Sequence, residues 1–301
     1  MDIIRGQLVS LLVTTTSSVN QALNQYHGLT IPAIQSFFGY LSLALLSFPA
    51  YRKQVRNSNR SLKWRIYFLY TIFDVLATYI VVLAYRFGTI SSIMLLDCFS
   101  LFICLFMGYF LLNLKALKTH YLGIFIAMFG MVILISSDTT SQSGSHPLLG
   151  DLLALSSATI LGLCNVFQEM FLVNASPQEF CFSIGVSGFL ISGLITCLFE
   201  LPFVSSLGSL PVVSLLLLFS ISFGSTYLLV PLIISSRGAT FFNIALLSSD
   251  CFAVFSDFII FGKDFRMVSI FSLVCIIIGL YIYLLRPLQK RENKETIPLL
   301  R

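Results

Sequence analysis

Ten mainly apolar stretches, each about 20 residues long, follow one another with short links through most of a 301-residue chain. That succession leaves few folds open. Hydrocarbon offers no partner for backbone N–H and C=O groups, so a chain of this kind must satisfy them inside helices. The stretches fall near 6–26, 31–51, 65–86, 89–112, 117–136, 148–174, 178–199, 209–234, 238–260 and 267–286. Pro32, Pro147, Pro177 and Pro211 stand near helix starts and Pro49, Pro202, Pro231 and Pro287 near helix ends, where a missing N–H does least harm. With 57% hydrophobic and 10% charged residues, the chain cannot cover a water-facing surface, which carries about 25% charge in ordinary domains. The N-terminal segment has a polar interior and no small-residue cleavage site, so it reads as the first membrane helix rather than a signal peptide.

The net charge of +5 reads as topology, not as affinity for nucleic acid. With a cytoplasmic N-terminus, fifteen of the eighteen basic residues fall on the cytoplasmic side, and only Arg86, Lys263 and Arg266 on the other. Both termini are therefore expected to be cytoplasmic. The sequons at Asn59 and Asn174 then lie on the side that is not glycosylated.

Weak echoes recur at half the chain length. Gly6 and Gly150 are 144 apart, Asn20 and Asn165 are 145 apart, and so are Pro32 and Pro177. Asp97-Cys98-Phe99 matches Asp250-Cys251-Phe252 at 153, and Gly130 matches Gly279 at 149. Five helices per half is an odd number, so the halves would cross the membrane in opposite senses. The expectation is an all-α polytopic membrane protein of ten transmembrane helices in two inverted five-helix repeats. The first half would span 1–137, an inter-repeat loop 138–147, the second half 148–286 and a cytoplasmic tail 287–301.

Acids inside spanning helices cost roughly 2.5–3.5 kcal/mol on insertion scales, so they face a cavity or a partner. Asp74, Asp97, Glu169, Asp250 and Asp257 are such acids. Ser17, Asn20, Gln21 and Asn24 make one polar stripe at helical spacing; Ser157, Asn165, Gln168 and Glu169 make a second in the repeat-related helix. Asn243, Asp250 and Asp257, seven apart, share one side of the ninth helix. Such stripes also serve as hydrogen-bonding glue between helices. Two related stripes with paired aspartates favour a polar midplane cavity lined by Asn20, Asn24, Asp74, Tyr79, Asp97, Asn165, Glu169, Asn243 and Asp250. Of the tyrosines, Tyr79, Tyr85 and Tyr109 carry hydroxyls that need partners, and a planar ligand could stack on one of them. Arg86 could pair with Asp74 or Asp97, meet an anionic solute or snorkel to the interface.

Enzyme and metal chemistry find no footing. The chain has no GxSxG, HExxH, P-loop or GxGxxG, and Asp97 and Asp250 fit neither motif of an intramembrane aspartyl protease. Seven cysteines lie in apolar runs without a CxxC pair, and the three histidines are scattered. No cofactor and no metal are expected.

Several segments resemble the F subfamily of solute carrier family 35, within the drug/metabolite transporter superfamily. They are IPAIQSF at 31–37, FDVLATYIVVLAYRFGTISSIMLLDCF at 73–99, the GD at 150–151, CNVFQE at 164–169, PQEF at 177–180 and ATFFNIALLSSDCF at 239–252. The resemblance runs over about 6–286 and implies ten helices in two inverted halves around a central cavity. It further implies a solute of the queuine or queuosine class, a purine-like base or its nucleoside, where the wider family is named for nucleotide-sugar exchange. Where relatives carry a second acid beside Glu169, this chain has Gln168. The resulting expectation is a transporter of a small polar, planar solute, in which Asp97 and Asp250 bind a cationic group, carry a proton or lock the cavity. A nucleotide-sugar exchanger and a non-transporting scaffold or receptor are the alternatives. Glu295, Leu299 and Leu300 form an acidic dileucine pattern that sorting adaptors would read on a cytoplasmic tail, consistent with an endomembrane (Golgi, endosome or vacuole) or plasma-membrane address. The expected partners are thus the lipid bilayer, a small polar solute, protons and adaptor proteins.

Overall fold

The computed structural model describes residues 2–55, 64–111, 114–115, 117–140, 146–262, 267–285 and 289–290. Helices run in the order α1 (Asp2–His27), α2 (Pro32–Val55), α3 (Trp64–Ala84), α4 (Ile90–Asp97), α5 (Phe99–Leu111), α6 (Lys118–Thr140), α7 (Pro147–Leu172) and α8 (Pro177–Ile195). A π turn at Thr196–Glu200 and a 3-10 stretch at Leu201–Gly208 prolong α8. The chain continues as α9 (Leu210–Arg237), α10 (Ala239–Ala245), α11 (Leu247–Ile259) and α12 (Met267–Leu284). Two-residue strands, β1 (Leu114–Lys115) and β2 (Gln289–Lys290), pair antiparallel and tie the segment after α5 to the one after α12.

Local chemistry accounts for the ends. Proline occupies the first turn of α7, α8 and α9, the Ser176 hydroxyl caps α8 by accepting from the Glu179 amide, and Thr89 caps α4 in the same way. Gly238 ends α9 at a φ of 87°, a conformation open to glycine at little cost. Among the described residues, seven helical stretches are long and apolar enough to cross a membrane. The polar run Thr14–Ser18 with Asn20, Gln21 and Asn24 keeps α1 outside that set.

Two expected helices are each broken. The stretch expected as 89–112 divides at Cys98 into α4 and α5, and the one expected as 238–260 divides at Leu246 into α10 and α11. A break frees backbone carbonyls, and α1 supplies donors to the second one: Ser10 Oγ reaches the Ala245 carbonyl at 2.8 Å and Thr14 Oγ1 the Ser249 carbonyl at 3.3 Å. Asp97 and Asp250 stand beside these breaks.

Small residues let the helices close up where apolar solvent gives no drive to pack. On α8, Gly185 lies against the Ala44 backbone and Gly188 against the ring of Tyr40, so that a Cβ on either would fall 2.7 and 2.5 Å from the nearest atom. On α12, Gly279 lies over the Gly123 carbonyl of α6, and Gly130 of α6 lies against Cys275. A Gly185→Val substitution is expected to lower stability by about 1–3 kcal/mol through overpacking against α2, read as a fall in Tm of the purified protein. Gly208→Ala, where an added Cβ meets nothing within 4 Å, should leave Tm unchanged.

Candidate functional site

A cavity of about 190 Å³ lies at the centre of the bundle. Its wall comes from α1, α3, α4, α5, α7, α8, α9, α10 and α11, with Leu43 from α2. Asn20, Asp74, Asp97, Asn165, Asn243 and Asp250 all line it, so six of the nine expected cavity residues converge on one space. Ser17, Tyr85 and Gln168 join them. Lys, Arg and His are absent from the described lining, and three carboxylates are present. Asp257 is buried on α11 but does not line the cavity.

The three acids are held differently. Asp74, 2% exposed, accepts from two phenols: Tyr40 on α2 at 2.7 Å and Tyr227 on α9 at 3.2 Å. A third helix, α3, carries the acid itself, so this group ties three helices with two hydrogen bonds. Asp250, 3% exposed, accepts from the Cys98 thiol at 2.9 Å. Asp97 has one buried carboxylate oxygen, Oδ1, with no hydrogen-bond partner. An unsatisfied carboxylate oxygen on a cavity wall draws a donor or a cation, because leaving it bare in low dielectric costs more than pairing it.

The amides are partly committed. Asn243 accepts from Ser100 Oγ at 2.9 Å and donates to the Ala239 carbonyl at 2.9 Å and the Cys104 sulfur at 3.3 Å. Asn20 accepts from Gln35 at 2.9 Å. Ser17 Oγ accepts from the Tyr85 hydroxyl at 2.8 Å.

Sequence reasoning missed an aromatic ladder. Phe219, Phe223 and Tyr227 stand at i, i+4 and i+8 on α9, stacked with centroids 5.6 and 4.4 Å apart and planes within 24°. All three face the cavity, as do Tyr70, Phe180 and Phe242. The helical spacing of the three α9 rings was the signal that could have found them. Tyr40 and the contribution of α8 through Phe180, Cys181 and Ile184 were also unforeseen.

Three expected residues lie elsewhere. Asn24 donates to the Tyr85 carbonyl at 3.0 Å and accepts from Thr30 at 3.2 Å. Glu169 accepts from the Ala239 amide at 2.8 Å, at the start of α10, beside Gly238. Tyr79 is half-buried on α3 away from the cavity wall. Arg86 lies over Phe87 at 5.7 Å and Arg237 over Phe241 at 5.8 Å, and neither lines the cavity. Tyr109 is exposed on α5. Glu295, Leu299 and Leu300 lie outside the described residues. Among the described residues, no cluster of three His, Cys, Asp or Glu side chains is placed to hold a metal ion.

Comparison with known proteins gives this arrangement a context. The chain is 28% identical to mouse (Mus musculus) solute carrier family 35 member F2, over 97% of its own length and 80% of the relative's. It is 28% identical to the Xenopus tropicalis member F2, covering 92% of this chain and 74% of that one. An uncharacterized solute carrier family 35 member of Schizosaccharomyces pombe is also 28% identical, with 92% of this chain matching 56% of that protein. A solved crystal structure of 15% identity superposes with a TM-score of 0.62 over 92% of this chain and 96% of the other, which shows a shared fold. Residues 1–285 match the family SLC35F, Solute carrier family 35, and the chain therefore belongs to it, as a multi-pass membrane solute carrier.

Proposed function

We propose that the chain is a secondary transporter built of two inverted five-helix halves, which works by alternating access to the central cavity. The cargo is a small planar solute with a cationic or donor-rich group, of the nucleobase or nucleoside class. The observation that carries this reading is the cavity wall: three carboxylates, no described basic residue, and a ladder of parallel rings. A planar solute packs against the α9 ring ladder, Asn165 and Asn20 hydrogen-bond its edges, and Asp97 takes a cation or a donor. Asp250 and Asp97 together suit coupling to protons.

The packing pattern supports the two-half reading. Exchanging each helix for its counterpart in the other half maps the main contacts onto one another. The pairs α1–α9 and α2–α9 correspond to α7–α3 and α8–α3, while α1 against α10 and α11 corresponds to α7 against α4 and α5. The pairs α2–α8 and α6–α12 correspond to themselves. Two groups emerge, one of α1, α2, α9, α10 and α11, the other of α3, α4, α5, α7 and α8. They meet around the cavity, which suits rocking of one group against the other.

A nucleotide-sugar exchanger is the second transport reading. A diphosphate calls for Arg or Lys in the cavity, and the acidic wall argues against it. The distribution of Lys and Arg supports a cytoplasmic position for both termini, where the tail would present its dileucine pattern to adaptors.

Purified protein in vesicles is expected to take up queuine or queuosine, with a rate that responds to a pH gradient, and to leave nucleotide sugars outside. Uptake of nucleotide sugars alone would favour the exchanger, and no uptake of any of these would favour a scaffold or receptor. Asp97→Asn, inserted normally, should lower uptake about tenfold, the worth of one hydrogen bond to a charged group; uptake at the wild-type rate would remove Asp97 from the site. For the phenol–carboxylate tie, Tyr40→Phe should cost about 1.5–3 kcal/mol of stability. In a double-mutant cycle with Asp74→Asn, the two losses should fail to add by at least about 0.5 kcal/mol.

A further inference from the structure

Among the described residues, side-chain ties to backbone groups cross between the two helix groups near the helix ends, and they sit at opposite ends of the bundle. At the end where α1 finishes and α2 begins, the Asn24 amide donates to the Tyr85 carbonyl just past α3. At the same end Glu200, only 4% exposed, accepts from the amides of Ala33 at 3.0 Å and Ile34 at 2.9 Å, which are the first free donors of α2 after Pro32. From there α9 runs 28 residues, about 42 Å, to the opposite end. At that opposite end Glu169 of α7 accepts from the Ala239 amide at 2.8 Å. Gly238, at a φ of 87°, leaves room for the acid: an added Cβ would stand 3.2 Å from its Oε2.

Each tie joins one helix group to the other. Asn24 and Glu169 are also 145 residues apart, the separation of Asn20 from Asn165 and of Pro32 from Pro177. Counterpart positions in the two halves thus do the same task, joining the groups, at opposite ends. Two groups that rock about a central site must part at one end while they stay joined at the other.

We propose that Asn24 with Glu200 at one end, and Glu169 at the other, are opposing gate ties, and that releasing one set opens the cavity to that end alone. This rests on the two-group alternating-access reading above. Among the described residues, the first end has a carboxylate on two helix amides and an amide on a carbonyl, and the second has a carboxylate on one helix amide. Neither Asn24 nor Glu169 touches the solute, and each acts through the helices it joins.

Two native thiols in the cavity wall, Cys98 and Cys181, report opening. A membrane-impermeant thiosulfonate is applied to either end of the protein in vesicles of known orientation, and modification of each cysteine is followed by peptide mass spectrometry. Glu169→Ala should raise the rate from the Glu169 end about tenfold, with no rise from the other. Glu169→Gln, which keeps an acceptor oxygen, should give a smaller rise. Asn24→Ala combined with Glu200→Ala should raise the rate from the opposite end. Unchanged rates, or equal rises from both ends, would overturn the gates. A protein that moves no solute yet shows these one-sided shifts would sink the transport reading and leave the gates standing; transport without the shifts would do the reverse.

Discussion

Hydrocarbon supplies no hydrogen-bond partner, and this one constraint organises the molecule. Every polar group in a spanning helix must find its partner within the protein. Hydroxyls solve the problem locally: Thr14, Ser47, Thr71, Thr159 and Ser220 each bond a carbonyl one turn back along their own helix. Carboxylates carry no donor for such a bond when ionised, and the amides keep an acceptor oxygen to satisfy, so both collect in the interior, where other helices supply donors. Asp74, Asp97, Asp250, Asn20, Asn165 and Asn243 accordingly share the wall of the interior cavity.

The same constraint explains which parts were legible in the sequence. Runs of apolar residues placed the helices, and prolines marked their starts, because both act through local backbone chemistry. Stripe spacing found the side of α1 and α7 that turns inward, since periodicity reports angle around an axis. It did not report depth. Asn24 and Glu169 lie on those inward stripes but close to the helix ends, where they bond backbone groups of Tyr85, just past α3, and of Ala239 in α10. The interruptions at Cys98 and Leu246 were equally hidden, because the donors beside the second, Ser10 and Thr14, come from α1, more than 230 residues earlier in the chain. Glu200 escaped notice for a related reason: its partners are two backbone amides that any sequence would offer.

Position in the membrane does not by itself separate a structural acid from one available to a solute, and on sequence Asp74 and Asp97 look alike. Asp74 has both oxygens engaged, by phenols from two other helices, so a solute could take it only by displacing Tyr40 or Tyr227. That displacement would also loosen α2 and α9 from α3. Asp97 keeps one buried oxygen without a partner, in the wall of the same cavity. The costs differ accordingly. A cation or donor reaching Asp97 relieves an existing deficit, whereas one reaching Asp74 must first break two hydrogen bonds. Of the two acids, Asp97 is the one with an oxygen left to bond. Asp74, by contrast, holds α3 to α2 and α9 through both of its oxygens.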